Sequence, residues 1–150
     1  MLTIRDAAFS YNVRTQFTFM TDHRTLSEIL NQLATDGINI NGYEQIAEHQ
    51  CNLVKLVVGR SDGESTHDLL VTKSTLRHFG VRFQTKPILQ VLNIASGIPG
   101  QVNTIYGALF CRVDVDAIYI GENDNLYVEV SDLDKAIWIL SQENVPSCLE

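Results

Sequence analysis

The chain has 150 residues, 45% of them hydrophobic and 19% charged, with 3 prolines and a formal net charge of −7. That composition excludes a disordered or collagen-like chain, and a chain this long buries a core without metal or disulfide staples. The acidic balance, with no run of Lys or Arg, argues against nucleic-acid or anionic-membrane partners. No apolar run approaches the ~20 residues that span a bilayer.

Residues 13–20 alternate, with Val13, Phe17 and Phe19 among polar neighbours, and predict a strand. Thr25 followed by Glu28 has the spacing of a capping box, so a helix is expected to start there. Leu26, Ile29, Leu30 and Leu33 form its apolar stripe, and Gly37 closes it. Ile38, Ile40 and Ile46 suggest a second strand, bent at Asn41-Gly42. Leu53–Val58 reads as a third strand and Ser61–Ser65 as a polar loop. A second helix runs from a Ser65 or Thr66 cap to about Phe79, with Gly80 as its stop. Val81–Thr85 is a fourth strand.

The order then begins again. Ile88–Ile94 is a strong strand and Ala95–Pro99 a loop of small residues, with Pro99 suited to a first helical turn. Val102, Ile105, Tyr106 and Leu109 repeat the helical stripe. Val113–Ile120 and Leu126–Val130 are strands joined around Asn123-Asp124-Asn125, and Ser131 with Asp134 opens a last helix. Val145 is all that remains of a closing strand. The expectation is an α+β chain of two ferredoxin-like βαββαβ units with antiparallel sheets and helices on one face. The units span 13–86 and 87–148, with no Pro/Gly/Ser linker between them.

The three cysteines, Cys51, Cys111 and Cys148, are odd in number and far apart, which is not a secreted disulfide framework. Cys51 and Cys111 read as small core residues. With no apolar leader in the first ten residues, a reduced, cytoplasmic setting is expected.

Residues 25–40 resemble the first helix and second strand of the ACT domain, a small-molecule-binding regulatory module. Its pattern is a Pro-Gly-x-Leu helix start and then Gly-(Ile/Val)-Asn-Ile. Pro99-Gly100-Gln101-Val102 is similar to that start, Asp114 falls where the family has Asn, and Leu126–Leu140 resembles the third strand and second helix. The whole is similar to stand-alone tandem ACT proteins, often described as amino-acid-binding. Two departures stand out. His23-Arg24 occupies the Pro-Gly position of the first unit, and Gly97 replaces a polar residue in the second.

The resemblance implies a ligand loop in the second unit, made of Ala95, Ser96, Gly97, Ile98, Pro99, Gly100, Gln101 and Val102. Backbone N–H groups at a helix N-terminus favour a carboxylate. Asp114 would accept from an ammonium group, and carboxylate plus ammonium is an amino acid. Asp22, His23, Arg24 and Asn39 form a secondary candidate loop.

No catalytic constellation is evident. His67-Asp68 beside Ser65 and Thr66 reads as a helix cap, since adjacent helical residues diverge. His67 and His78 stand roughly 16 Å apart along a helix, too far for one metal. No phosphate-binding or zinc motif occurs. The expectation is a non-catalytic homo-oligomer that binds a small molecule, with no cofactor or metal. The alternatives are an interaction module that has lost its ligand and a detached regulatory subunit of an amino-acid biosynthetic enzyme such as an aspartokinase.

Overall fold

A computed structural model describes residues 10–94, 97–144 and 147–149. The chain divides into two compact units, Arg14–Lys86 and Met1–Val13 with Pro87–Glu150. Residues 10–13 thus belong with the second half of the chain.

The Arg14–Lys86 unit takes most of β1 (Tyr11–Asp22), then α1 (His23–Thr35), β2 (Ile40–Glu48), β3 (Cys51–Val58), α2 (Thr66–His78) and the first residues of β4 (Phe83–Val91). Its strand order is β2-β3-β1-β4. β3 pairs antiparallel with both β1 and β2, with Phe17 opposite Leu56 and Phe19 opposite Val54. Alternate residues share a sheet face, so these four side chains meet on one side. Leu26, Ile29 and Leu33 of α1 and Leu76 of α2 join them in a single buried cluster, which puts both helices on that face. Each fully buried side chain of this size contributes about 1.5–3 kcal/mol.

The helix starts differ from the sequence expectation. α1 begins at His23, and its cap is Asp22 rather than Thr25: the Asp22 carboxylate accepts from the Thr25 N–H at 2.8 Å and the Thr25 hydroxyl at 2.9 Å. Those bonds hold the Asp22 carboxyl below the usual carboxylate range. Ser65 caps α2 as expected, accepting from the Asp68 N–H. Gly37 and Gly80 follow their helices at φ of 72° and 70°, the left-handed closure that glycine permits. The bend at Asn41-Gly42 is a register shift between Ile40 and Gly42.

One buried cation holds this unit's loops in place. Arg14 is 1% exposed. Its guanidinium donates at 2.8 Å to both the Val58 and the Arg60 carbonyls and lies 3.8 Å from the Glu64 carboxylate. Glu64 in turn accepts from the backbone N–H and the hydroxyl of Thr15.

The other unit uses the rest of β4, then α3 (Gln101–Leu109), β5 (Val115–Ile120), a 3-10 turn at Glu122–Asp124, β6 (Leu126–Val130) and α4 (Leu133–Leu140). β6 pairs antiparallel with β4 and β5. The order is β5-β6-β4-β1, so the fourth position of this sheet is filled by the start of β1. The Leu92 N–H donates to the Ser10 carbonyl, and Asn12 donates to Gln90. Val145, the expected remnant of a closing strand, lies outside the described residues. Both units are ferredoxin-like, but only the first takes its strands in unbroken chain order.

Three further differences have local causes. β4 is one strand where two were expected, because Pro87 precedes Leu89, the first residue paired to β6, and so its missing N–H interrupts no rung there. α3 starts at Gln101 on a left-handed Gly100, which leaves Pro99 outside the helix. Asp132, not Ser131, caps α4, and the Ser131 hydroxyl accepts instead from the Asp114 N–H. The core here is Leu89, Val91, Ile105, Leu109, Val128, Val130, Ile139 and Leu140, among others.

The cysteines also depart from expectation. Cys111, just after α3, forms a disulfide with Cys148 across 37 positions of sequence, while Cys51 is free. Sequence spacing cannot show such a pair, because the fold brings the C-terminal segment back to the end of α3.

Candidate functional site

In the second unit β4 ends at Val91, opposite Leu126, which in turn lies opposite Ile120 at the end of β5. The chain leaving β4 and the turn after β5 therefore share one end of the sheet. Between them lies a cavity of about 530 Å³, lined by Gly97, Ile98, Gly100, Gln101 and Val102 on one side and by Ile120 and Asp124 on the other. Ile94, Asn103 and Tyr106 complete it. Ala95 and Ser96 lie outside the described residues, and exposed Pro99 is not part of the lining.

Gly97 and Gly100 have φ of 78° and 88°, and a Cβ at either would meet nothing within 4 Å. These positions need glycine for the backbone, not for crowding. α3 has no side-chain cap, whereas Asp22, Ser65 and Asp132 cap the other three helices. The N–H groups of a helix's first turn have no partner within the helix, and the dipole favours an anion there.

Asp124 supplies the opposite charge. It sits in the turn after β5 at φ 56°, a left-handed conformation that Asp tolerates better than most residues. The Gly121 N–H bonded to the Asn125 carbonyl, and the Asn125 N–H bonded to that of Glu122, close the turn. The sequence shows this turn only as a connection, and nothing in it places Asp124 against the 97–102 loop.

Asp114 is elsewhere. It precedes Val115, at the other end of β5, where its carbonyl accepts from the Ser131 N–H. Six strand residues, roughly 20 Å, separate that end from the cavity. Tyr106, which the stripe assigns to the core, is 41% exposed and stacks on Phe110. Ile105 and Leu109 alone carry the buried face of that stripe.

The secondary loop divides in the same way. Asp22 is opposite Cys51 and hence near Glu48, the far end of β2, while Asn39 precedes Ile40 and donates to the Gly59 carbonyl. His23 Nδ1 lies 3.0 Å from the Asn52 amide, and Arg24 pairs with Glu28 at 3.5 Å. A larger concavity, about 890 Å³, reaches Asp22 and Thr25. Its helix end is already occupied by the Asp22 carboxylate, which takes up the Thr25 N–H and repels a second anion. Among the described residues no group of His, Cys, Asp or Glu side chains is arranged to hold a metal. No helix among them is long and apolar enough to cross a membrane.

Solved structures share this arrangement of elements. A protein from Bacteroides thetaiotaomicron superposes with a TM-score of 0.68 at 17% identity, covering 92% of this chain and 94% of that one. The regulatory subunit of aspartate kinase from Thermus thermophilus gives 0.59 at 10% identity, over 88% and 93%. Aspartokinase alpha and beta subunits give 0.61 at 12% identity, over 91% and 97%. The fold is that of aspartate kinase regulatory subunits. At these identities the likeness is one of fold, an ACT-like one. No protein-family model and no curated protein matches the sequence.

Proposed function

We propose that this chain is a non-catalytic regulatory protein that binds a small amino acid in the cavity at the start of α3. The observation that carries the reading is the contrast among the helices. Among the described residues α3 is the one α-helix without a side-chain cap, and its N-terminus borders a cavity whose far wall carries Asp124. A ligand carboxylate would take the first-turn N–H groups of α3, and its ammonium would lie against Asp124. Ile98, Val102, Tyr106 and Ile120 offer an apolar wall to the side chain.

The fold shared with regulatory subunits of aspartate kinase supports a detached regulatory role, in which the amino acid would shift the chain between two packings. The reading carries with it a homo-oligomer in the cytoplasm. Ile98, Val102, Tyr106 and Phe110, spaced four apart and all exposed, support association.

A thermal-shift screen against the twenty amino acids tests the proposal. A ligand at 100 times its dissociation constant stabilises by about 2.7 kcal/mol. Gly100→Asp places a negative charge at the proposed carboxylate position, in open space but at a φ of 88° that strains a non-glycine residue by about 1–3 kcal/mol. The stabilisation by the ligand should disappear in that variant, while the strain lowers its unliganded melting temperature by about 3–10 °C without unfolding it. A variant that binds as tightly as the wild type would refute the site.

A further inference from the structure

We propose that the Cys111–Cys148 pair is a site of thiol–disulfide exchange with low-molecular-weight thiols, built so that Cys111 receives the thiol and Cys148 leaves. The geometry divides the two sulfurs. Cys111 is exposed and Cys148 half-buried. The Sγ of Cys148 lies 3.2 Å from the Cys111 backbone N–H and 3.3 Å from Arg112 Nη1, both donors directed at it. Arg112 is held in that position by a second bond, Nη1 to the Ala108 carbonyl at 2.6 Å. A cation and an N–H beside one sulfur favour its thiolate, and the sulfur that better carries negative charge is the better leaving group.

The exchange balances as follows. A thiolate attacks Cys111 Sγ, the bond between the two cysteines breaks, and its electron pair leaves on Cys148, facing Arg112. A second thiol attacks the added sulfur, releasing Cys111 and forming a small-molecule disulfide. Two thiols are oxidised, one protein disulfide is reduced, and the protons of the two thiols end on the cysteines or in solvent. The end of α3 and the C-terminal segment are also tied by the Cys148 N–H bond to the Gly107 carbonyl, at 2.6 Å, and by the Cys111 N–H and Arg112 at Cys148 Sγ. A disulfide in a protein of a reducing compartment is more often a redox sensor than a staple, which fits the cytoplasmic setting proposed above. The exchange chemistry itself does not depend on the amino-acid site.

The test uses the oxidised full chain carrying Cys51→Ala, so that no third thiol interferes. It is exposed to reduced glutathione without oxygen, quenched with acid at intervals, alkylated and mapped by peptide mass spectrometry. The first species should carry glutathione on Cys111 and the alkyl label on Cys148. Arg112→Gln should slow its appearance on the order of fivefold, and Arg112→Lys, which keeps the charge, should stay near the parent rate. Glutathione on Cys148 first, a disulfide intact in excess glutathione, or parental kinetics in Arg112→Gln would each overturn the proposal. The position of the adduct in the parent protein decides the matter even if a variant folds poorly.

Discussion

Arg14→Met is expected to destabilise the protein by about 2–4 kcal/mol, since two carbonyl acceptors are left unpaired at about 1–2 kcal/mol each. The substitution fills much of the volume but leaves the Val58 and Arg60 carbonyls without the guanidinium that bridges them. Glu64 keeps its bonds to Thr15 and loses its cation. Urea denaturation should show a lower midpoint with little change in slope, and the melting temperature should drop by about 10 °C. Arg14→Lys has one ammonium where two carbonyls are spanned, and should fall between. A loss under about 1 kcal/mol in Arg14→Met would mean that the loops carrying Val58, Arg60 and Glu64 hold their places without it.

Cys148→Ser should be the second large effect. Closing a loop across 37 positions restricts the unfolded chain by about 3–4 kcal/mol in the chain-entropy account. The variant should unfold at a lower urea concentration than the oxidised wild type and should not respond to reductant. The wild type should move to nearly the same midpoint once reductant is added. Equal midpoints for the wild type with and without reductant would contradict a stabilising bridge.

Periodicity shows the elements plainly because apolar stripes such as Leu26–Ile29–Leu33 and the alternation around Phe17 and Phe19 are set by what each element buries. The start of α1 is less visible. His23-Arg24 looks like a degenerate loop, yet Asp22 caps the helix directly and the two residues become its first turn. The fourth strand of the second unit cannot be seen in local pattern at all, since Tyr11–Val13 comes from the opposite end of the sequence. The disulfide is hidden for the same reason.

For the site, Gly97 and Gly100 declare a backbone that only glycine suits, and the loop from Gly97 to Val102 borders the cavity, with Pro99 outside the lining. The choice of acid does not follow from sequence. Asp114 and Asp124 flank the same strand, and only the antiparallel register of β4, β6 and β5 tells which end faces the loop. Asn39 stands apart from Asp22 by the same geometry.

The central claim is that an amino acid spans from the start of α3 to Asp124. Calorimetric titration of wild type and Asp124→Asn, each with the tightest-binding amino acid and with its des-amino analogue, tests it most directly. Asp124→Asn should weaken the amino acid by roughly 1.5–3 kcal/mol, the worth of a charged hydrogen bond, and leave the analogue's affinity unchanged. An equal loss for both compounds, or no loss for either, would contradict the assignment of Asp124 to the ammonium group.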